Sequence, residues 1–254
     1  MSLHIWTQDA LRSELRPLNT QAWRLVEAQH VVSTLSLVDN LDEQNLLEDI
    51  LEDTKPPVPA ECQHLDYLLS TPFRYRPYPY GSRFRKAGLT PGVWYGAEHP
   101  ETAVTEMVFY RFLFFAESPE TPFPVNPADY TAFCVGVGTD AALDLTVGAL
   151  ANNQKIWTDP TDYLACQDLA ATVREIGADI IRFQSVRDPD NGANLAVLTC
   201  AVFQDAAPVD RQSWRIRISP SGVQAVRDHP RLGLEFGRDD FDFDPRVKGM
   251  NWDR

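Results

Sequence analysis

The chain has 254 residues, enough for one sizeable domain with an accessory segment or for two small domains. Its 44% hydrophobic and 11% aromatic content is that of a packed globular protein and excludes a disordered chain. Thirty-six acidic residues against 23 basic ones give a formal net charge of −13, which argues against direct nucleic-acid binding, because phosphate backbones are gripped by basic faces.

The opening MSLHIWTQDALRSEL lacks the basic-then-apolar pattern of a secretory signal. The longest apolar run, Met107 to Ala116, contains Arg111 and is too short for a membrane span, so a soluble cytoplasmic protein is expected. Cys62, Cys134, Cys166 and Cys200 form no CxxC pair and the histidines have no ligand spacing, so reduced, buried thiols and no metal site are expected.

In chain order, residues 1–60 read as a helical accessory segment. One helix is expected over about Thr20 to Ser33, with Trp23, Leu25, Val26, Val31 and Val32, and a second over Leu41 to Asp53. The proline-rich KPPVP (55–59) then breaks the helix, and residues 61–225 read as the main domain. GVWYGA (92–97) predicts a short buried strand, and Pro100 with Glu101 predicts the start of a helix running past Phe112. Tyr130 to Val137 predicts another strand. A helix follows from Asp159-Pro160, with apolar residues every three or four positions until Gly177 stops it. Strands are expected over Asp179–Phe183, Leu195–Phe203 and Trp214–Ile218. Residues 226–254 read as an acidic tail in which GRDDFDFDP (237–245) is a solvated or partner-contacting arm. Helices and strands mix without a steady βαβ alternation, which makes the class α+β.

Three features could carry chemistry. Arg74, Arg76, Arg83 and Arg85 cluster among tyrosines and a glycine, where guanidinium groups suit phosphates and aromatic rings suit bases or nicotinamide; surface pairing with carboxylates is the alternative. Glu106 sits early in a strongly apolar helix and either faces water or points into a cleft. RFQSVRDPDNGANLAVL (182–198) places Ser185 at the start of a polar loop between two strands, a usual location for a site and equally a plain hairpin. No GxSxG elbow, phosphate loop or GxGxxG motif is present. These residues alone name no reaction.

GSRFRKAGLTPGVWYGAEHPETAVTE (81–106) is similar to the signature of the RES-domain family, named for an arginine, a glutamate and a serine. Arg83 matches the family's arginine, Tyr95 its strand tyrosine and Glu106 its helix glutamate. IRFQSVRDPDNGANLAVL resembles the second block, with Ser185 as the serine and Asn194 in the turn after it. Arg74 in PFRY is the candidate for an earlier arginine. The resemblance covers about residues 65–205, and the upstream stretch is similar to the longer toxins of ParST or Xre–RES type II toxin–antitoxin modules.

The resemblance implies an ADP-ribosyltransferase-like fold with a mixed β core and NAD⁺ as substrate, with no metal. Glu106, Arg83, Tyr95 and Ser185 would be catalytic. Arg74, Arg83, Tyr95, Ser185 and Asn194 would bind the dinucleotide. It implies a toxin that transfers ADP-ribose to a protein acceptor, phosphoribosyl pyrophosphate synthetase being one such acceptor, or else an NAD⁺ phosphorylase or glycohydrolase. A cognate Xre/ParS-type antitoxin would be the partner and would supply the DNA contact. A non-enzymatic binding module with an acidic docking surface is the third reading.

Overall fold

The computed structural model describes residues 6–28, 37–75, 79–88 and 90–253 and is built on a mixed eight-stranded sheet. Its strands are β1 (Arg16–Glu27), β2 (Trp94–Ala97), β3 (Ala128–Asp144), β4 (Ile180–Gln184), β5 (Ala193–Val197), β6 (Asp210–Ser219), β7 (Gly222–Arg227) and β8 (Leu232–Phe236). The order is β1-β2-β5-β4-β3-β6-β7-β8, and β1 pairs with β3 as well. Five strands therefore form a closed circuit, from which β6, β7 and β8 continue as a meander. Only β3 and β4 run parallel; the other pairings are antiparallel. The circuit closes weakly at one seam. β1 matches β3 along nearly its whole length but meets β2 at the single pair Trp23↔Ala97.

The helices are α1 (Gln8–Ser13), α2 (Leu41–Asp53), α3 (Tyr67–Arg74), α4 (Pro100–Glu117), α5 (Gly148–Ala151), α6 (Gln154–Trp157) and α7 (Leu164–Glu175). α4 begins with proline at its start, where the missing N–H costs nothing, and Glu101 lies in its positive first turn. It buries Ala103, Val104, Val108, Phe109, Phe112 and Phe115, and packs on β1 within a core shared with Trp23, Leu25, Trp214 and Ile216. A second core lies among α3, β1, β3 and β5, and a third joins α1 and α7 to β4. Gly177 ends α7 in the left-handed region at φ +82°, as a glycine after a helix does. Among the described residues, no helix is long and apolar enough to cross a membrane.

Three expectations need correction. The helix expected over Thr20 to Ser33 is the strand β1 as far as Glu27, and residues 29–33 of that segment lie outside the described residues. The strand is buried on both faces. Trp23 and Leu25 enter the core beneath α4, while Ala22, with Leu18 and Val26, enters the one beside α3. A strand covered on both sides reads as an apolar run that periodicity alone does not distinguish from a helix. The expected strand over 195–203 is β5 followed by a 3₁₀ turn at Cys200–Val202. This turn meets another at Ala60–Cys62, and Cys62 and Cys200 are joined by a disulfide, with Cα atoms 6.0 Å apart across 138 positions. The remaining cysteines, Cys134 and Cys166, are free and buried as expected.

The third correction concerns residues 237–245. Far from forming a solvated arm, the segment folds back on α4. The Phe241 ring lies 4.9 Å from that of Phe112 and 5.6 Å from that of Phe109, and Val247 and Trp252 are buried beside them. Two exposed aspartates, Asp239 and Asp240, had masked the apolar spacing of this stretch. Phe241→Ala should therefore cost about 3–5 kcal/mol, the usual penalty for emptying a phenylalanine site in a core. Urea unfolding should show a lower midpoint with an unchanged slope; an unshifted midpoint would restore the solvated arm.

Candidate active site

A cleft of about 420 Å³ opens at the seam between β1 and β2. β1 contributes Trp23, Arg24 and Leu25, and β2 contributes Tyr95, Gly96 and Ala97. α4 supplies Glu106, Met107 and Tyr110. Gly81 to Arg83, Tyr163, Arg187, Asn194 and Arg246 complete the lining. Gly96 is needed at this seam, because a Cβ there would strike the Trp94 ring and come within 3.0 Å of the Trp23 carbonyl oxygen.

Glu106 is the centre of the arrangement. Ser185 Oγ donates to Glu106 Oε1 at 2.6 Å, and Asn194 Nδ2 donates to the same oxygen at 2.6 Å. The second carboxylate oxygen, Oε2, makes no hydrogen bond among the described residues. Ser185 is fixed in turn, because its Oγ accepts the backbone N–H groups of Arg187 (3.2 Å) and Asp188 (3.0 Å). With both lone-pair directions occupied, its proton is directed at Glu106.

The loop that carries Ser185 is held against α4. Thr102 Oγ1 donates to Asp188 Oδ2 at 2.6 Å, and a Cβ on Gly192 would collide with Thr102. Asn191 takes a positive φ of 58°, which asparagine tolerates. Ser185 N–H then closes the loop by bonding to the Gly192 carbonyl at 2.7 Å.

Arg83 is buried, donating to the carbonyl oxygens of Trp157 (2.7 Å) and Asp159 (2.8 Å), with its guanidinium 4.5 Å from the centre of the Tyr163 ring. The Tyr95 hydroxyl accepts the Phe84 N–H at 3.0 Å and bonds with Ser82 Oγ at 2.8 Å. Burial raises its phenol above the ordinary value, so it stays protonated. Its hydroxyl is committed to the loop 82–84, leaving its ring for the cleft.

Arg74 is not brought to the cleft. Its Nε donates to the Pro56 carbonyl at 2.6 Å and its Nη2 pairs with Glu52 at 2.8 Å, tying α3 to α2 and the proline-rich break. Arg76 lies outside the described residues.

Arg24, in β1, reaches the cleft instead. It lines the cleft with its guanidinium 5.6 Å from the Trp94 ring centre, and its buried Nη1 has no hydrogen-bond partner among the described residues. Burial lowers its pKa to about 10. A buried guanidinium nitrogen without an acceptor has the chemistry to take an anion. Sequence reasoning missed Arg24 because it sits in the strand misread as a helix.

Arg187 and Arg246 were also missed. Arg187 is sealed in, 3.8 Å from the Phe109 ring centre, and pairs with the fully buried Asp244 at 2.9 Å. Arg246 clasps the same carboxylate through Nε (3.0 Å to Oδ1) and Nη2 (2.8 Å to Oδ2).

A larger hollow of about 610 Å³ lies on the other flank of α4, but its cation is already neutralised. Arg182 bonds both oxygens of Glu98 at 2.7 and 2.8 Å and pairs with Asp144 at 3.3 Å. Among the described residues, no group of three or more His, Cys, Asp or Glu could hold a metal ion. The cleft at the seam thus joins a positioned carboxylate to uncompensated guanidinium groups.

The cleft in the seam of the mixed sheet thus sets a carboxylate beside arginines. The model of the RES domain matches residues 58–219, more than half of the chain. The chain belongs to the RES-domain family. Among solved structures it is similar to the crystal structure of the M. tuberculosis MbcT–MbcA toxin–antitoxin complex, with a TM-score of 0.40 and 14% identity over 92% of this chain and 91% of that one. No curated protein matches it.

Asp244 gives the site a pH dependence. Burial alone would raise its carboxyl, but the bonds from Arg246 and the charges of Arg187 and Arg246 outweigh this, and the group lies below its ordinary 3.8. A depressed folded value means that its contribution is complete above the unfolded value and is lost as pH falls through the folded one. Acid unfolding followed by tryptophan fluorescence should therefore show a steep loss of stability below about pH 4. Asp244→Asn should flatten that slope and cost about 3–5 kcal/mol at neutral pH, because it leaves two guanidinium groups around an uncharged side chain.

Proposed function

We propose that this chain is an NAD⁺-consuming toxin of a toxin–antitoxin pair, which cleaves the nicotinamide–ribose bond and transfers ADP-ribose to a protein acceptor. The observation that carries this reading is Glu106, whose Oε1 takes hydrogen bonds from both Ser185 and Asn194 while Oε2 is left without one in an arginine-lined cleft. When the glycosidic C–N bond breaks, its electron pair leaves with nicotinamide, which becomes neutral, and positive charge develops on the ribose. A fixed carboxylate stabilises that charge most where water is excluded and no reorganisation is needed. The acceptor's nucleophile then forms the new bond to the ribose carbon and loses its proton.

Glu106 stabilises the oxocarbenium and orients the ribose, with Ser185 and Asn194 holding it in place. Arg24 and Arg83 receive the pyrophosphate. Tyr95 presents its ring to the nicotinamide. Arg74 takes no part, because it is committed to Glu52 and Pro56. The RES motifs support the toxin assignment and a cognate Xre/ParS-type antitoxin as partner. Phosphoribosyl pyrophosphate synthetase is one protein acceptor to test first. Phosphate and water are the competing acceptors.

The test is incubation with adenylate-labelled NAD⁺ and a cell lysate, with and without added phosphate, beside Glu106→Gln. The expected result is label on a discrete protein band, reduced on the order of a hundredfold or more in the variant, the scale of losing a preorganised electrostatic contact. Labelled ADP-ribose or its phosphate with no labelled protein would replace transfer to protein by hydrolysis or phosphorolysis. Intact NAD⁺ under every condition would overturn the enzyme assignment and leave a binding module.

A further inference from the structure

The segment after β8 lies beyond the residues that the RES model matches, yet it reaches the cleft. We propose that Arg246 is a substrate-contacting residue that binds phosphate oxygens of the dinucleotide, and that Asp244 is the positioning residue that aims it. This rests on the NAD⁺ reading and deepens it, by adding to the cleft a determinant from outside the matched domain.

The geometry is specific. Asp244 is wholly buried and holds the Nε and Nη2 edge of Arg246 with both of its oxygens. Nη2 also reaches the Pro160 carbonyl at 3.1 Å. The opposite nitrogen, Nη1, has no hydrogen bond among the described residues, and about a third (32%) of the side chain is exposed. An arginine clamped along one edge presents the other in a fixed direction, so little conformational freedom is lost when it meets an anion.

Charge supports the same assignment. Asp244 is the one carboxylate that Arg187 and Arg246 share, so its single charge is divided between two guanidinium groups. Both guanidinium groups line the cleft, but Arg187 is buried against Phe109 and uses Nη2 on the Pro160 carbonyl at 3.0 Å. Arg246 is the more exposed of the pair. Nor is Arg246 needed to hold the segment down, since Phe241, Val247 and Trp252 already bury it in the core.

The test compares Arg246→Gln and Arg246→Lys with the unaltered chain, following NAD⁺ consumption and the competitive binding of two probes. ADP-ribose carries the phosphates, and nicotinamide riboside carries none. Losing one charged hydrogen-bonding contact to a phosphate weakens binding about tenfold to a hundredfold. Arg246→Gln should raise KM for NAD⁺ and weaken ADP-ribose by that factor, with kcat and nicotinamide riboside binding close to those of the unaltered chain, while Tm falls because the buried Asp244 keeps only Arg187 as a partner. Arg246→Lys should recover part of the loss, since it restores the charge without the clamped geometry. Equal weakening of both probes, or no change in KM, would overturn the assignment of Arg246 while leaving the NAD⁺ reading intact. An unaltered chain that neither consumes NAD⁺ nor binds ADP-ribose would overturn both.

Discussion

Two hydrogen bonds onto a single oxygen of Glu106 tie together parts of the chain that are otherwise separate: the first turns of α4, the loop leaving β4, and β5. Every other feature near the cleft preserves that meeting. Gly192 and the Thr102–Asp188 bond press the loop onto α4, and backbone N–H groups use up the acceptor capacity of Ser185 so that its proton points one way. The apolar circumference of α4 then fixes the helix itself, burying Phe109, Phe112 and Phe115 in the core. A charged group is expensive to hold in a half-buried place, and hydrogen bonds that favour its ionised form offset that cost.

The weak closure of the strand circuit has the same importance for the space around Glu106. Had β1 and β2 paired along their length, backbone bonds would occupy the seam. With one matched pair, both strands present side chains across a gap, and Arg24 reaches the gap from one side while Tyr95 and Gly96 reach it from the other. The cleft is thus a product of sheet topology. It draws on residues before position 61 and after position 225, where the sequence suggested only accessory segments.

How far the sequence revealed this follows from how each residue signals itself. Arg83, Tyr95, Glu106, Ser185 and Asn194 lie in two compact stretches, and the α+β class and most of the strands bordering them were legible from turn residues and apolar runs. Arg24 was hidden because a strand buried on both faces imitates a helix. Asp244 and Arg246 were hidden because four aspartates in the nine residues 237–245 outweigh two phenylalanines in any composition-based reading. Arg74 looked suitable because arginine among tyrosines suits a phosphate, and no spacing rule reveals that Glu52, on a helix 22 positions earlier, claims it. The Cys62–Cys200 link was equally out of reach, since contact across 138 positions depends on the finished fold.

The docking of residues 237–252 on α4 has a consequence for how such a protein is made. Phe241, Val247 and Trp252 complete the core beneath α4, and β3 needs β6 on its open edge. Ribosomes release chains from the N-terminus, at about 5–20 residues per second. While residues 237–252 are still inside the exit tunnel, α4 lacks part of its packing and the cleft lacks one wall. The residues matched by the RES model can all have emerged by then, so a chain of this design completes its cleft only after its matched domain has left the ribosome.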